Sequence, residues 1–258
     1  MRIHRVYCKL VSGPNDEFSL DESQSQHLIR ALRLKETTII EIFDGHGYFA
    51  KCKIMSISKT NCDVVRIEEL KKSATFNQIL TAVIPIIKAS NFNFMLQKLS
   101  EIGVNKFVIY KPQLIDQSVA KKNITKLLDK SKEVVINVCK QCGNNFLPSL
   151  TFENSLKDAI SYIKSSEIIY AFDTDAEEYF NQDELKNDHI SIITGPESGF
   201  SEDEINELSN KKINFRYLGD NVLRSETAPI FVAALIKNYF HIVYKHLLQL
   251  LLIYLITL

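Results

Sequence analysis

Two rhythms of apolar and polar positions divide the chain. Over residues 1–72 the runs are short: YCKL, TTIIEIF, GYFAKCKIMSI and CDVVRIEEL alternate in part and are rich in β-branched or aromatic side chains. Such patterning predicts strands with one buried face, and Asp44-Gly45-His46-Gly47 between two of them predicts a hairpin turn. One stretch, SQSQHLIRALRL, follows Asp21-Glu22 and sets His27, Arg30 and Arg33 at helical spacing. Several short strands with a single helix predict a small barrel. The polar segment ELKKSATFNQ reads as a linker.

From Gln78 the rhythm changes. QILTAVI predicts a strand, NFNFMLQKLSEIGV a helix and KFVIY a strand; a long helix follows over residues 124–142. Strand SLTF, helix SLKDAISYIK, strands EIIYAF and HISIIT, helix SEDEINELSN, strand INFRYLG and helix SETAPIFVAALIKNYF complete the series. Alternating β and α elements predict an α/β domain around a largely parallel sheet. The boundaries expected are a barrel over 1–72, the α/β domain over 76–245 and an apolar extension over 246–258. That extension, HLLQLLLIYLITL, holds 13 uncharged residues. A bilayer span needs about 20, so a buried helix extension or an oligomer contact is expected in place of a membrane anchor.

Composition narrows the class. Hydrophobic residues at 45% and charged residues at 24% describe a globular chain, not a disordered one. The net charge of zero conceals an asymmetry: residues 1–75 carry +2, residues 76–150 carry +6 and residues 151–258 carry −8. A basic front and an acidic rear suit a polyanionic partner, although solvated charge with no partner would look the same. The opening MRIHRVYCKL lacks the apolar core of a signal peptide, and the five cysteines are few and mostly scattered. A reduced, cytoplasmic setting is therefore expected. Cys139 and Cys142 have C-x-x-C spacing, but no second pair completes a zinc site, so no metal is expected.

The chemistry-bearing signal lies late in the chain. Of 8 glycines, Gly195, Gly199 and Gly219 fall in the consecutive loops TGPESGF and LGDNVLRSETA. A dinucleotide fold would place G-x-G-x-x-G at the first strand-to-helix turn, yet AVIPIIKAS has no glycine. A P-loop would follow its second glycine with Lys, and Gly199 is followed by Phe200. Parallel-sheet ligands bind at the carboxyl ends of strands, so the two late loops are expected to share one site. There Pro196 fixes a turn, while Gly195 and Gly199 bring backbone N–H and C=O groups close to a ligand such as adenine. Two ordinary tight turns would leave the same trace.

ITGPESGFSEDEI followed by LGDNVLRSETA closely resembles the paired C-terminal motifs of the RsmE family, SPOUT-class methyltransferases of uridine N3 in 16S ribosomal RNA. HLIRALRLK, IFDGHG, LQKLSEIGV and CKQCGNNFLPSL match it in the same order, and the resemblance covers about residues 1–240. It implies a PUA-like β-barrel followed by an α/β domain with a trefoil knot, S-adenosyl-L-methionine as cofactor, and a homodimer. Carried onto this chain, the cofactor falls to Thr194, Gly195, Pro196, Glu197, Gly199, Leu218, Gly219, Val222, Leu223, Thr227 and Ala228. Three departures stand out: Ser198 replaces a glycine, Lys140 stands where an acid commonly precedes QCG, and the apolar tail runs past the usual end.

Methyl transfer asks mainly for alignment, and loss of the uridine N3 proton spreads negative charge onto O2 and O4. Arg224 is the expected cation beside those oxygens, unless it only holds its loop by pairing with Glu226. Glu226 or Glu197 is the candidate proton acceptor. Arg2, Arg5, Arg30, Arg33, Lys88 and Lys98 are the candidates for phosphate contact with small-subunit RNA. Glu101, in QKLSEIGV, fits a helix-end role as well as a catalytic one. Two other functions remain open: an RNA-binding or assembly protein with a vestigial cofactor site, and ribose 2′-O methylation.

Overall fold

The computed structural model describes residues 3–58, 60–75, 77–120, 123–163 and 168–256. The chain forms two compact units, Met1–Phe76 with Val135–Leu147, and Asn77–Val134 with Pro148–Leu258.

The first unit is built on a six-stranded sheet. Its strands are β1 (Arg5–Tyr7), β2 (Glu17–Ser19), β3 (Ile39–Phe43), β4 (Tyr48–Ile57), β5 (Cys62–Arg66) and β6 (Lys71–Lys72), in the order β1-β3-β4-β5-β2 with β6 on β4. The β3–β4 pair is the expected hairpin. Asp44 closes it, its carboxylate accepting from the amides of His46 at 2.7 Å and Tyr48 at 3.0 Å. Alternation along β3 to β5 sends Ile40, Ile42, Cys52, Ile54 and Val64 into one apolar core with Val6, Val11 and Leu28. Each such side chain contributes roughly 1.5–3 kcal/mol by leaving water.

Two local expectations change here. YCKL is not a strand: β1 ends at Tyr7, and Lys9–Ser12 turns as a 3-10 helix. The helix over 23–34 is instead α1 (Glu22–Gln26), capped by the Asp21 carboxylate on Gln24 N, running into a π-helical turn at His27–Ala31. The wider turn ends in Arg33, which has φ +52°.

The second unit alternates strands and helices: β7 (Ile79–Pro85), α2 (Ala89–Ile102), β8 (Lys106–Tyr110), α3 (Gln117–Ala120), α4 (Ile124–Cys142) and β9 (Ser149–Glu153). It continues with α5 (Leu156–Ser161), β10 (Ile168–Phe172), β11 (His189–Thr194), α6 (Glu202–Asn210), β12 (Asn214–Arg216) and α7 (Thr227–Ile256). Helix α4 starts in this unit and ends in the first. The strands are parallel throughout, in the order β12-β10-β11-β7-β8-β9. Strand β7 is apolar almost without break, and Leu80 through Ile84 are all buried, as a central parallel strand covered on both faces must be.

From β7 the chain steps outward through β8 to β9, then returns to the far side and lays β11 between β10 and β7. The reversal of direction at β7 leaves a crevice at the carboxyl ends of the strands, where such sheets bind ligands. A capping box starts α6: Ser201 Oγ accepts from Glu204 N at 3.1 Å, and Glu204 accepts from Ser201 N at 2.9 Å. The backbone of α7 stays helical through residue 256. The packing or oligomer role expected of the 246–258 tail lies outside the residues whose side chains are described. Among the described residues no helix is long and apolar enough to cross a membrane.

Candidate active site

The carboxyl ends of β10, β11 and β12 open onto a cleft of about 490 Å³. Thr194, the last residue of β11, forms its floor. The Tyr110 hydroxyl, at the end of β8, donates to the Thr194 carbonyl at 2.9 Å. Burial pushes the Tyr110 phenol well above its ordinary range, so it stays protonated and this bond holds at any physiological pH. The Thr194 hydroxyl is also buried, 2% exposed, and has no hydrogen-bond partner among the described residues. A buried polar atom without a partner is costly.

Beyond Thr194 the chain makes a tight turn. Gly199 N donates to the Pro196 carbonyl at 3.0 Å, and Gly199 itself takes φ +75°. Ser198 keeps a negative φ and donates its hydroxyl to the Leu114 carbonyl at 2.8 Å. Serine in place of glycine therefore costs the turn nothing and adds an anchor. Ser201 and Glu204 tie the same loop to Gln113, at 2.7 and 3.1 Å.

The opposite wall is the segment after β12. Tyr217 is held by two backbone bonds to the β10–β11 connection, from Tyr217 N to the Glu178 carbonyl at 2.9 Å and from Phe180 N to the Tyr217 carbonyl at 3.0 Å. Further on, the Arg224 carbonyl accepts from Thr227 N at 2.8 Å and Ala228 N at 3.0 Å, starting α7. The Arg224 side chain is exposed in the cleft and makes no ion pair or hydrogen bond among the described residues. Its alternative role, a loop-holding pair with Glu226, is therefore absent from this structure. Glu226 is buried, with Ser225 Oγ 3.4 Å from its carboxylate. Glu197 is exposed.

The cleft gathers Thr194, Gly195, Pro196, Glu197, Gly199, Leu218, Gly219, Val222, Leu223, Arg224, Glu226 and Ala228 from the two loops. Thr227 does not line it and acts through its amide on Arg224. Sequence reasoning missed Asn91, at the start of α2, and Phe172, Asp173 and Thr174, at the end of β10. It also missed Phe200, Arg216, Tyr217, Asp220, Asn221 and Ser225. The rule that ligands sit where strand order reverses would have pointed to the end of β7, hence to Asn91. Arg216 pairs with Glu178 at 2.7 Å and lies over the Tyr170 ring, bracing the β10–β11 connection.

The candidates for phosphate contact fare unequally. Arg2 lies outside the described residues. Arg5 is a correction: its guanidinium is enclosed, paired with Glu41 at 2.6 Å, donating to the Cys139 carbonyl at 2.6 Å and to Asn145, and stacked over Phe43. Such a group holds its own unit together, and with its side chain 11% exposed it offers a phosphate little surface. Arg30 and Arg33 are exposed. Lys88 is exposed, 3.7 Å from Asp116, and Lys98 pairs with Glu101 at 2.9 Å one turn on, which gives Glu101 a structural partner. No cluster of His, Cys, Asp and Glu among the described residues suits a metal ion.

A parallel α/β domain with a PUA domain before it places this chain among SPOUT-class methyltransferases. An RNA methyltransferase domain model matches residues 74–237, and an RNA methyltransferase PUA domain model matches residues 20–65. The chain belongs to that RNA methyltransferase family. It is 28% identical to the ribosomal RNA small subunit methyltransferase E of Helicobacter pylori, over 89% of this chain and 97% of that one. The Rickettsia conorii protein of the same name is 26% identical, over 92% and 96%. Among solved structures, a protein from Thermotoga maritima described as a predicted RNA methyltransferase superposes with a TM-score of 0.72 at 27% identity, over 92% and 99% of the two chains. The Neisseria gonorrhoeae small subunit methyltransferase E, solved with S-adenosyl methionine, gives 0.80 at 21% identity, over 92% and 98%.

Proposed function

We propose that this protein methylates N3 of a uridine in the 16S RNA of the small ribosomal subunit, with S-adenosylmethionine as donor. The observation that carries the reading is the cleft itself, lined by the exposed Arg224, whose guanidinium has no partner among the described residues. Its volume is that of an ordinary small-molecule site. Asp173, Glu197, Asp220 and Glu226 outnumber Arg216 and Arg224 in the lining, an acidic balance that suits a cationic ligand. When bound, S-adenosylmethionine supplies a methyl group on a sulfonium.

The chain's own residues then have three tasks. Thr194 and the backbone of the 195–199 turn hold the cofactor, and the 218–223 segment covers it. Arg224 stabilises the negative charge that uracil O2 and O4 gain as the N3 proton leaves. Glu226, buried beside it, or the exposed Glu197, takes that proton. The RNA is drawn by exposed cations, Arg30 and Arg33 in the first unit and Lys88 in the second. The homodimer that the resemblance implies and the cytoplasmic setting expected from the few, scattered cysteines complete the reading.

Nucleoside analysis of small-subunit RNA after incubation with the protein and methyl-labelled cofactor tests it. Label recovered as N3-methyluridine is the expected result. Label on a ribose 2′-oxygen would overturn the assignment of the base, and no label would overturn the activity.

A further inference from the structure

Asn91 belongs to no motif, yet among the described residues it alone brings α2 to the cleft. It is the third residue of that helix, after Lys88 at the N-cap. Phe92 N donates to the Lys88 carbonyl at 2.9 Å and closes the first turn, and Phe92 and Met95 anchor it in the core. Asn91 therefore stands half-buried on a fixed support. Its Oδ1 accepts from Ser90 Oγ at 3.2 Å, and its Nδ2 has no hydrogen-bond partner among the described residues. With the carbonyl end engaged, the carboxamide has two N–H donors left to offer.

We propose that Asn91 determines which base is methylated, its amide nitrogen donating to O4 of the target uracil. This role rests on uridine N3 being the atom methylated. In uracil, N3 lies between C2 and C4, so O2 and O4 flank it on either side. Loss of the N3 proton charges both oxygens, and a guanidinium placed at one leaves the other without a donor. Arg224 serves O2 and Asn91 serves O4. A fixed donor binds the charged oxygen more strongly than the neutral one, so the contact acts on rate as well as on choice.

The base that must be kept out is cytosine. Its N3 carries no proton to remove, so it is open to a methyl donor, and it bears an amino group where uracil has O4. Against Asn91 that amino group would set N–H against N–H and leave both donors unpaired. A carboxamide free to turn over would accept from the amino group and distinguish nothing. The bond from Ser90 opposes that turn by holding Oδ1. O2 is common to both bases, so a contact there could not make the choice.

The test uses the full-length protein, methyl-labelled S-adenosylmethionine and two small-subunit RNAs. One is natural; in the other, the uridine found to carry label is replaced by cytidine. Asn91→Asp exchanges the donors for an acceptor in the first turn of a helix, where a carboxylate is well tolerated. Its kcat on uridine should fall roughly tenfold or more, while label appears as N3-methylcytidine on the second RNA. Affinity for S-adenosylhomocysteine, measured by calorimetry, should not change. Ser90→Ala, which releases Oδ1, should raise the cytidine rate relative to the uridine rate. A fall on uridine with the same uridine-to-cytidine ratio would overturn the assignment to O4. A cofactor affinity that falls with the rate would overturn the role in base choice and make Asn91 a cofactor contact. Absence of N3-methyluridine with the unmutated protein would overturn the methylation reading, and this role with it.

Discussion

Two regions of the molecule concentrate glycine, and they use it in opposite ways. In the hairpin of the first unit, Gly47 has φ +98°, and a Cβ there would lie 2.5 Å from the Phe146 ring. Beside it, a Cβ on Gly45 would lie 2.9 Å from Leu147. Those glycines are small because side chains already fill the space. In the cleft, Gly199 has φ +75°, but a Cβ there would meet nothing within 4 Å, and the same holds for Gly219. The open side of these residues is room for something that is not protein. Turn chemistry alone does not separate a packing glycine from one with an open side; the neighbours do.

The comparison can be broken most severely at Gly195. A Cβ there meets the backbone of Gly199 and Phe200 at 3.4 Å, ordinary contact, so Gly195→Ala keeps the fold. The two methyls of Gly195→Val have no such space and must close the turn on its ligand. Titration calorimetry with S-adenosylhomocysteine should then show no binding by a folded protein; normal binding would place the cofactor elsewhere. Arg224→Ala comes next. Loss of one donor at a developing oxyanion costs about 3 kcal/mol, roughly a hundredfold in methyl-transfer rate, with cofactor affinity little changed. Arg224→Lys should restore only part, because an ammonium cannot present a planar fork to two acceptors. An affinity loss as large as the rate loss would make Arg224 a loop-holding residue.

Smaller effects separate the two kinds of glycine directly. Gly47→Ala should lower unfolding free energy by about 2 kcal/mol, from positive φ and the Phe146 overlap together, and leave cofactor affinity alone. Gly199→Ala should cost about 1 kcal/mol, the backbone term without the overlap. Denaturant melts of both variants measure the difference. Equal losses would mean that Phe146 yields freely and that the hairpin is no more tightly packed than the cleft.

Much of this architecture is legible in the pattern of side chains, because burial on one or both faces is written into each strand. The extent of α4 and the order of the parallel strands' elements follow from it. What was not legible has physical causes. Strands β2 and β6, Glu17–Ser19 and Lys71–Lys72, are short and polar at an edge, so no apolar period marks them. The last turns of α4 join the first unit, yet the helical period runs through that junction unbroken. Arg5 reads as any surface cation until Glu41, Asn145 and Phe43 are seen around it. Half of the cleft shows the same limit. The loops bearing Gly195 and Arg224 announce themselves by composition, whereas Asn91 and Phe172 to Thr174 reach the cleft only through strand order.

That strand order also governs when the protein becomes competent. Strand β11 has to enter between β10 and β7, and the wall that follows β12 is pinned to the connection made before β11. Helix α7 adds a late tie, the Tyr239 hydroxyl donating to the Leu185 carbonyl. Contacts so distant along the chain form slowly, and synthesis delivers the N-terminal residues first. A nascent chain can therefore shape the mixed sheet of its first unit, and β7 through β9, while the segment bearing Arg224 is still unmade. A chain released before about residue 220 would lack the wall of the cleft that bears Arg224.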